Sequence, residues 1–199
     1  MNISEPMTLV TDYLLAAVTA WLAVLLFRNA ESQSSRKCWA AAFSALALGA
    51  FLGGTWHGLV QSAFLWKATV LAVGVASFGM VAGSAIATVT GAARKLILRL
   101  ALVKLLVYSG WMMLRDDFIF VIVDTGIAFA VVAGLHVWKW NRLLLAGVAV
   151  SVAGAAVQAS GFALHPHFNH NDLYHVIQIA AMALFYRGAR RLTDSVALR

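Results

Sequence analysis

Residues 7–28 read MTLVTDYLLAAVTAWLAVLLFR, and the nine that follow, NAESQSSRK, are polar and end in two basic residues. Apolar side chains fill both parities of this run, so it is not the alternating strand of a membrane barrel. As a helix rising 1.5 Å per residue it is about 33 Å long, enough for a hydrocarbon core of ~30 Å. No Lys or Arg precedes Arg28. The run therefore lacks the basic leader of a cleaved signal peptide and is expected to stay as a first helix.

The pattern repeats along the chain. Apolar runs between polar joints predict helices at 7–28, 38–60, 63–89, 94–114, 117–137, 142–163 and 172–188. Composition agrees: 62% of the 199 residues are hydrophobic, 12% are charged and mean hydropathy is +0.83. Too little polar surface is left for a water-soluble globule of this size. Two prolines suit uninterrupted helices, and the single Cys38 excludes an internal disulfide or a multi-cysteine metal site. The expected fold is an all-α integral membrane protein, one bundle of seven transmembrane helices covering 1–199.

Charge orients it. The net charge of +7 is not a nucleic-acid patch, because it gathers at helix ends. Arg28, Arg36 and Lys37 lie in the first joint, Arg94 and Lys95 in the third, Lys139 and Arg142 in the fifth, and Arg187, Arg190 and Arg191 in the tail. Those segments are expected to face the cytoplasm, giving an N-out, C-in topology, with the inner membrane of a cell as the expected location. Small residues spaced by four, Gly49 and Gly53, Gly79 and Gly83, and Gly147 and Ser151, favour close helix packing.

Ionisable residues inside a bilayer are costly and mark cavities or partners. With this topology Asp12, His57, Lys67, Asp116, Asp117, Asp172 and His175 fall in one layer near the outer surface, with Asp124 about two turns deeper. Lys104, near the middle of helix four, either pairs with Asp124 or snorkels to water. The densest stretch is 165–175, HPHFNHNDLYH, with four of the six histidines. A catalytic zinc takes three protein ligands and an open position for water. His57 and His175 can supply two from facing helices and His170 a third, with Asp172 on the same face as His175. Against this, His165 and His167 read as wet loop, and Asp172 as a helix N-cap. Ser44 lies about 20 Å along its helix from His57 and is no nucleophile for this layer.

Seven spans, Gly53-Gly54-Thr55-Trp56-His57 ending helix two, and Asn171-Asp172-Leu173-Tyr174-His175 opening helix seven resemble the CREST membrane hydrolases: alkaline ceramidases, progestin and adiponectin receptors, and hemolysin III proteins. That superfamily carries Ser-x-x-x-His on helix two, an aspartate near the start of helix three and His-x-x-x-His on helix seven, the three histidines holding zinc. Here Gly53 takes the place of the serine, Asn171 that of the first histidine, and Lys67 stands near the place of the aspartate.

The resemblance implies a zinc-dependent hydrolase that cleaves an amide or ester in a membrane lipid entering sideways from the outer leaflet. His57, His175 and His170 would hold the metal. By their depth in the layer, Asp12 or Asp124 is expected to take the water's proton and Lys67 to stabilise the oxyanion. The alternative is a non-enzymatic receptor, sensor, or ion or proton transporter using the same layer. A haem protein is disfavoured because the histidines cluster at one edge, and a retinal protein because helix seven has no lysine.

Overall fold

The computed structural model describes residues 4–196. It contains seven helices: α1 (Pro6–Arg28), α2 (Ser34–Gly58), α3 (Ala63–Thr88), α4 (Gly91–Leu114), α5 (Ile119–Lys139), α6 (Arg142–Ser160) and α7 (His170–Ala189). The first six are long and apolar enough to cross a membrane. The α7 helix falls short in hydropathy because Asn171, Asp172, His175 and Gln178 lie on it, and these are the side chains it turns inward.

Helix ends follow local chemistry. The α3 helix starts at Ser62, whose hydroxyl accepts from the Leu65 amide at 3.2 Å, and α6 at Asn141, whose Oδ1 accepts from Leu144 at 3.3 Å. The α7 helix opens with a capping box: Asn169 Oδ1 accepts from Asn171 and Asp172, and Asp172 Oδ2 accepts from the Asn169 amide at 2.7 Å. Gly161 ends α6 with φ +68°, a left-handed conformation natural to glycine. The sequence places the start of α2 at residue 38, four residues late. Its first turn is polar, and its amide acceptor comes from far away: Asp194 takes the Ser34 and Ser35 amides at 2.8 and 2.9 Å.

Packing makes a ring in the order α1, α2, α3, α5, α6, α7, closed by α7 against α1, with α4 outside on α3 and only lightly touching α5. Glycines set the tight seams. A Cβ on Gly54 would fall 2.8 Å from Asp12 Cβ, and one on Gly58 2.8 Å from Leu9 Cβ, so α1 lies directly against α2 there. Gly49 faces α3 and Gly53 lies between Thr69 of α3 and Asp12 Oδ2 of α1, with ordinary clearances of 3.5 and 3.8 Å at Gly53. A Cβ on Gly83 would meet Trp39, and one on Gly147 would meet Phe185. Trp39 and Phe185 stack 5.5 Å apart in the main core.

Candidate functional site

The starts of α1, α3, α5 and α7 meet the ends of α2, α4 and α6 at one end of the bundle, here the His57 end. Glu5, Asp12, Asp116, Asp117 and Asp172 lie there, whereas Arg28, Arg36, Lys37, Arg94, Lys95, Lys139, Arg142, Arg187, Arg190 and Arg191 gather at the opposite end. From the His57 end a cavity of about 560 Å³ runs into the ring. Asp12, His57 and His175 line its mouth. Leu46, Met80, Phe129 and Met182 line its apolar depth, and Ser77, Ser151 and Gln178 are polar points on its walls. Ile122 on α5 and Val152 on α6 line it too, yet are 42% and 53% exposed. Both belong to the wall of the cavity on either side of the α5–α6 seam. Tyr13 and Phe51 stack 5.2 Å apart, and Trp56, Trp66 and Phe118 form an aromatic row, near the mouth.

Asp12 and His175 form the centre of the mouth. Asp12 Oδ1 lies 3.2 Å from His175 Nε2, with both residues buried. On the other side of the ring Thr11 Oγ1 is 3.0 Å from Nδ1. Thr11 has one hydroxyl proton and two backbone acceptors in reach, Met7 O at 3.0 Å and Thr8 O at 3.2 Å. Spent there, it leaves Oγ1 to accept from Nδ1–H, and the Nε2 lone pair then faces Asp12. One proton between Nε2 and Oδ1 satisfies both atoms. Asp12 Oδ2 has no partner among the described residues and lies beside Gly53, 3.8 Å from where a Cβ would sit. It is a buried acceptor left open beside a cavity, a state that an internal fold contact does not explain.

The second histidine is held separately. His57 Nδ1 is 3.2 Å from Glu5 Oε2, within ion-pair range but not aligned as a hydrogen bond. Trp56 packs on its ring edge at 5.0 Å, and Ser4 donates to its carbonyl. Two histidine–carboxylate pairs therefore share one cavity mouth.

Other members of the expected layer have different duties. Lys67 is not free for an oxyanion: its ammonium is taken by Met112 O at 2.6 Å, Arg115 O at 2.7 Å and Asp116 Oδ1 at 2.6 Å. Carbonyls at the C-terminal end of α4 are natural acceptors for a cation. Asp124 does not line the cavity. Lys104 holds its Oδ1 at 2.5 Å and its carbonyl at 3.1 Å, so of the two readings of Lys104 the pair is the one formed. Asp172 is fully buried behind the mouth, accepting from Thr8 Oγ1 at 2.9 Å as well as from Asn169. It is the α7 capping-box acid and ties α7 to α1. His170 is the first residue of α7 and does not line the cavity. His165 and His167 lie exposed in the loop before it.

A zinc site needs three converging ligands. Among the described residues no group of three or more His, Cys, Asp or Glu side chains is arranged to hold a metal ion. His57, His170, His175 and Asp172 do not fit a three-ligand set, since Asp172 is saturated, His170 lies off the cavity and both nitrogens of His175 have neighbours.

Glu5 and Thr11 are not legible in the sequence as partners of the two histidines, because each contact crosses between helices. The same holds for Gln178, which accepts from Ser151 Oγ at 3.0 Å and donates to Ser151 O at 3.2 Å. His136, buried in the last turn of α5, has no partner for either ring nitrogen among the described residues.

The fold and mouth together define a class: an all-helical bundle, with six helices of membrane-crossing length and apolarity, holding histidine–carboxylate pairs at the opening of an internal cavity. The chain belongs to a family of unknown function (DUF6962), whose family model matches residues 7–194. No curated protein and no solved structure matches it.

Proposed function

We propose that this protein is a seven-span, N-out membrane enzyme that hydrolyses an amide or ester in a membrane lipid at the outer-facing end of the bundle. The observation that carries the reading is the buried Asp12–His175 pair, with one carboxylate oxygen unpartnered, at the mouth of a cavity with apolar depth. A lipid fits by polarity: acyl chain among Leu46, Met80 and Phe129, scissile group at the mouth. The exposed cavity residues Ile122 and Val152 make the α5–α6 seam its route from the bilayer. Asp12 Oδ2 accepts from the attacking water and takes its proton as the water oxygen adds to the carbonyl, His175 shares the charge through Oδ1, and the same Oδ2 returns the proton to the leaving group as the scissile bond breaks. Thr11 holds the ring in place throughout. No step is routed through zinc.

Turnover of N-acyl and ester lipids by the purified chain in nanodiscs tests this. Release of fatty acid that disappears in Asp12→Asn and His175→Ala supports it, and no release from either bond class overturns it. Elemental analysis of the same preparation tests zinc: about one ion per chain, lost in His175→Ala, supports a metal enzyme, and activity in metal-free protein overturns it.

One observation favours a second reading, a proton or ion transporter: the Lys104–Asp124 pair lies well inside the helices, and Asp124 Oδ2 is buried without a partner among the described residues. Proton flux in liposomes that is lost in Asp124→Asn would support it, and absence of flux would overturn it.

A further inference from the structure

A second hollow, about 310 Å³, lies at the end of the bundle opposite the cavity mouth, where the α5–α6 joint meets the end of α7. Lys139, Trp140, Asn141, Arg142, Leu143 and Arg191 line it. Three of those six are cations and none is acidic. The lining is also fixed in place. Asn141 caps α6 through Oδ1 and donates through Nδ2 to Gly188 O at 3.2 Å, docking the joint onto α7. A Cβ on Gly188 would fall 2.7 Å from Leu144 Cγ and 2.9 Å from its amide nitrogen, so the two elements are in direct contact. That docking brings Arg191 to Lys139 and Arg142. The Arg142 guanidinium lies over the Trp140 ring at 5.0 Å, which limits where it points.

Among the described residues no acid is paired with these charges. None of the three takes part in an ion pair among the described residues, and Asp194, the acid nearest in sequence, is occupied by the α2 amides. Leu143 belongs to the first turn of α6, where Trp140 O and Asn141 Oδ1 take the Arg142 and Leu144 amides, and the dipole at this helix start favours an anion. Trp140 lines the hollow at 63% exposure, and Trp138, in the last turn of α5, is 87% exposed. Exposed tryptophans at the end of an apolar helix sit at head-group level in a bilayer. Positive charge at helix ends is ordinary topology. Three cations converging on one concave, tryptophan-lined hollow at a helix N-terminus go beyond it.

We propose that the hollow lined by Lys139, Trp140, Arg142 and Arg191 binds the phosphate head group of an anionic membrane lipid. The guanidiniums take the phosphate oxygens, the Lys139 ammonium adds a point charge, and the acyl chains run down the apolar outside of α5 and α6 past the tryptophans. The site is independent of the chemistry proposed for Asp12 and His175.

The test uses the full chain in a neutral detergent, with phosphatidylglycerol, phosphatidylcholine and inorganic phosphate as probes. Retained lipid is read by native mass spectrometry, and protection by the thermal midpoint. The expected result is selective retention of phosphatidylglycerol, weakening roughly fivefold for each cation removed in the series Arg142→Gln, Lys139→Gln/Arg142→Gln and Lys139→Gln/Arg142→Gln/Arg191→Gln. A control, Lys37→Gln/Lys95→Gln, removes two positive charges from the same end outside the hollow and should leave retention unchanged. Should the triple variant fail to fold, Arg142→Gln alone carries the test. Equal retention of the two lipids, an equal loss in the control, or the same protection by millimolar inorganic phosphate would each overturn the proposal.

Discussion

Asp12 and Asp172 are two buried aspartates at the same end of the same bundle, 4% and 1% exposed, and they are treated in opposite ways. Asp172 has both oxygens engaged, one by Thr8 and one by the Asn169 amide, and it does not touch the cavity. Asp12 has one oxygen facing His175 and the other facing the cavity without a partner. A saturated buried carboxylate holds helices in register, while an unsaturated one beside empty volume is available to a ligand. The contrast separates structural from chemical acids more sharply than depth in the membrane does.

The comparison can be broken most directly at Asp12. Asp12→Asn keeps the volume and removes the charge, and hydrolysis in nanodiscs should fall a hundredfold or more, the usual scale for a lost acid–base group, with the thermal midpoint nearly unchanged. A large drop in the midpoint would make Asp12 a second structural acid. Asp172→Ala should do the reverse. Orphaning the Thr8 hydroxyl and opening the α7 cap should cost ~2–4 kcal/mol of stability, read by thermal or chemical denaturation. The protein that remains folded should turn over normally. Between the two lies Gly54→Ala, whose methyl must displace Asp12 Cβ and Tyr13. A loss of ~1–3 kcal/mol is expected, with reduced activity, whereas Gly53→Ala meets only ordinary contacts and should stay folded.

The smallest effect is at a third aspartate, at the opposite end of the bundle. Burial pushes the Asp194 carboxyl up, but hydrogen bonds from Ser35 and Ser34 outweigh it and hold the group below its ordinary value of 3.8. A folded value below the unfolded one means that this acid stabilises the fold above about pH 4 and loses its contribution as pH falls through the lowered value. The difference in thermal midpoint between the native chain and Asp194→Asn should therefore be constant near neutrality and vanish as pH falls through the lowered value. As a partly exposed cap it should be worth ~1 kcal/mol or less. A difference that grows on acidification would contradict the assignment.

Much of the fold was legible because the signal is local. Apolar runs such as 7–28 and 63–89 fix helices to within a residue or two, and the basic joints pick out one end. The α7 helix was legible only by its polar residues, which count against a membrane helix on hydropathy and in its favour as the inner wall of a cavity. The site was half legible. Depth along the helices placed Asp12, His57 and His175 at one level, and all three line the cavity mouth. Rotation about each helix axis was not readable, and it separates Lys67 and Asp124 from that mouth. Lys67 is drawn to carbonyls that any sequence would supply at the end of α4, and Asp124 to a lysine on the peripheral helix. Glycine pairs announced close packing without saying against what. Gly54 and Gly58, rather than Gly49 and Gly53, make the tightest approach of α2 to α1.

The ring closes where the first helix meets the last, and the central pair, Asp12 and His175, is drawn from those two, with Thr11, 164 residues before His175, holding its ring. During synthesis α1 is made early and must wait in the bilayer, its Asp12 unmatched, until α7 is in place. The reaction proposed for this pair is thus closed to every partly made chain. The long wait for a non-local contact makes this seam a slow, late step of assembly.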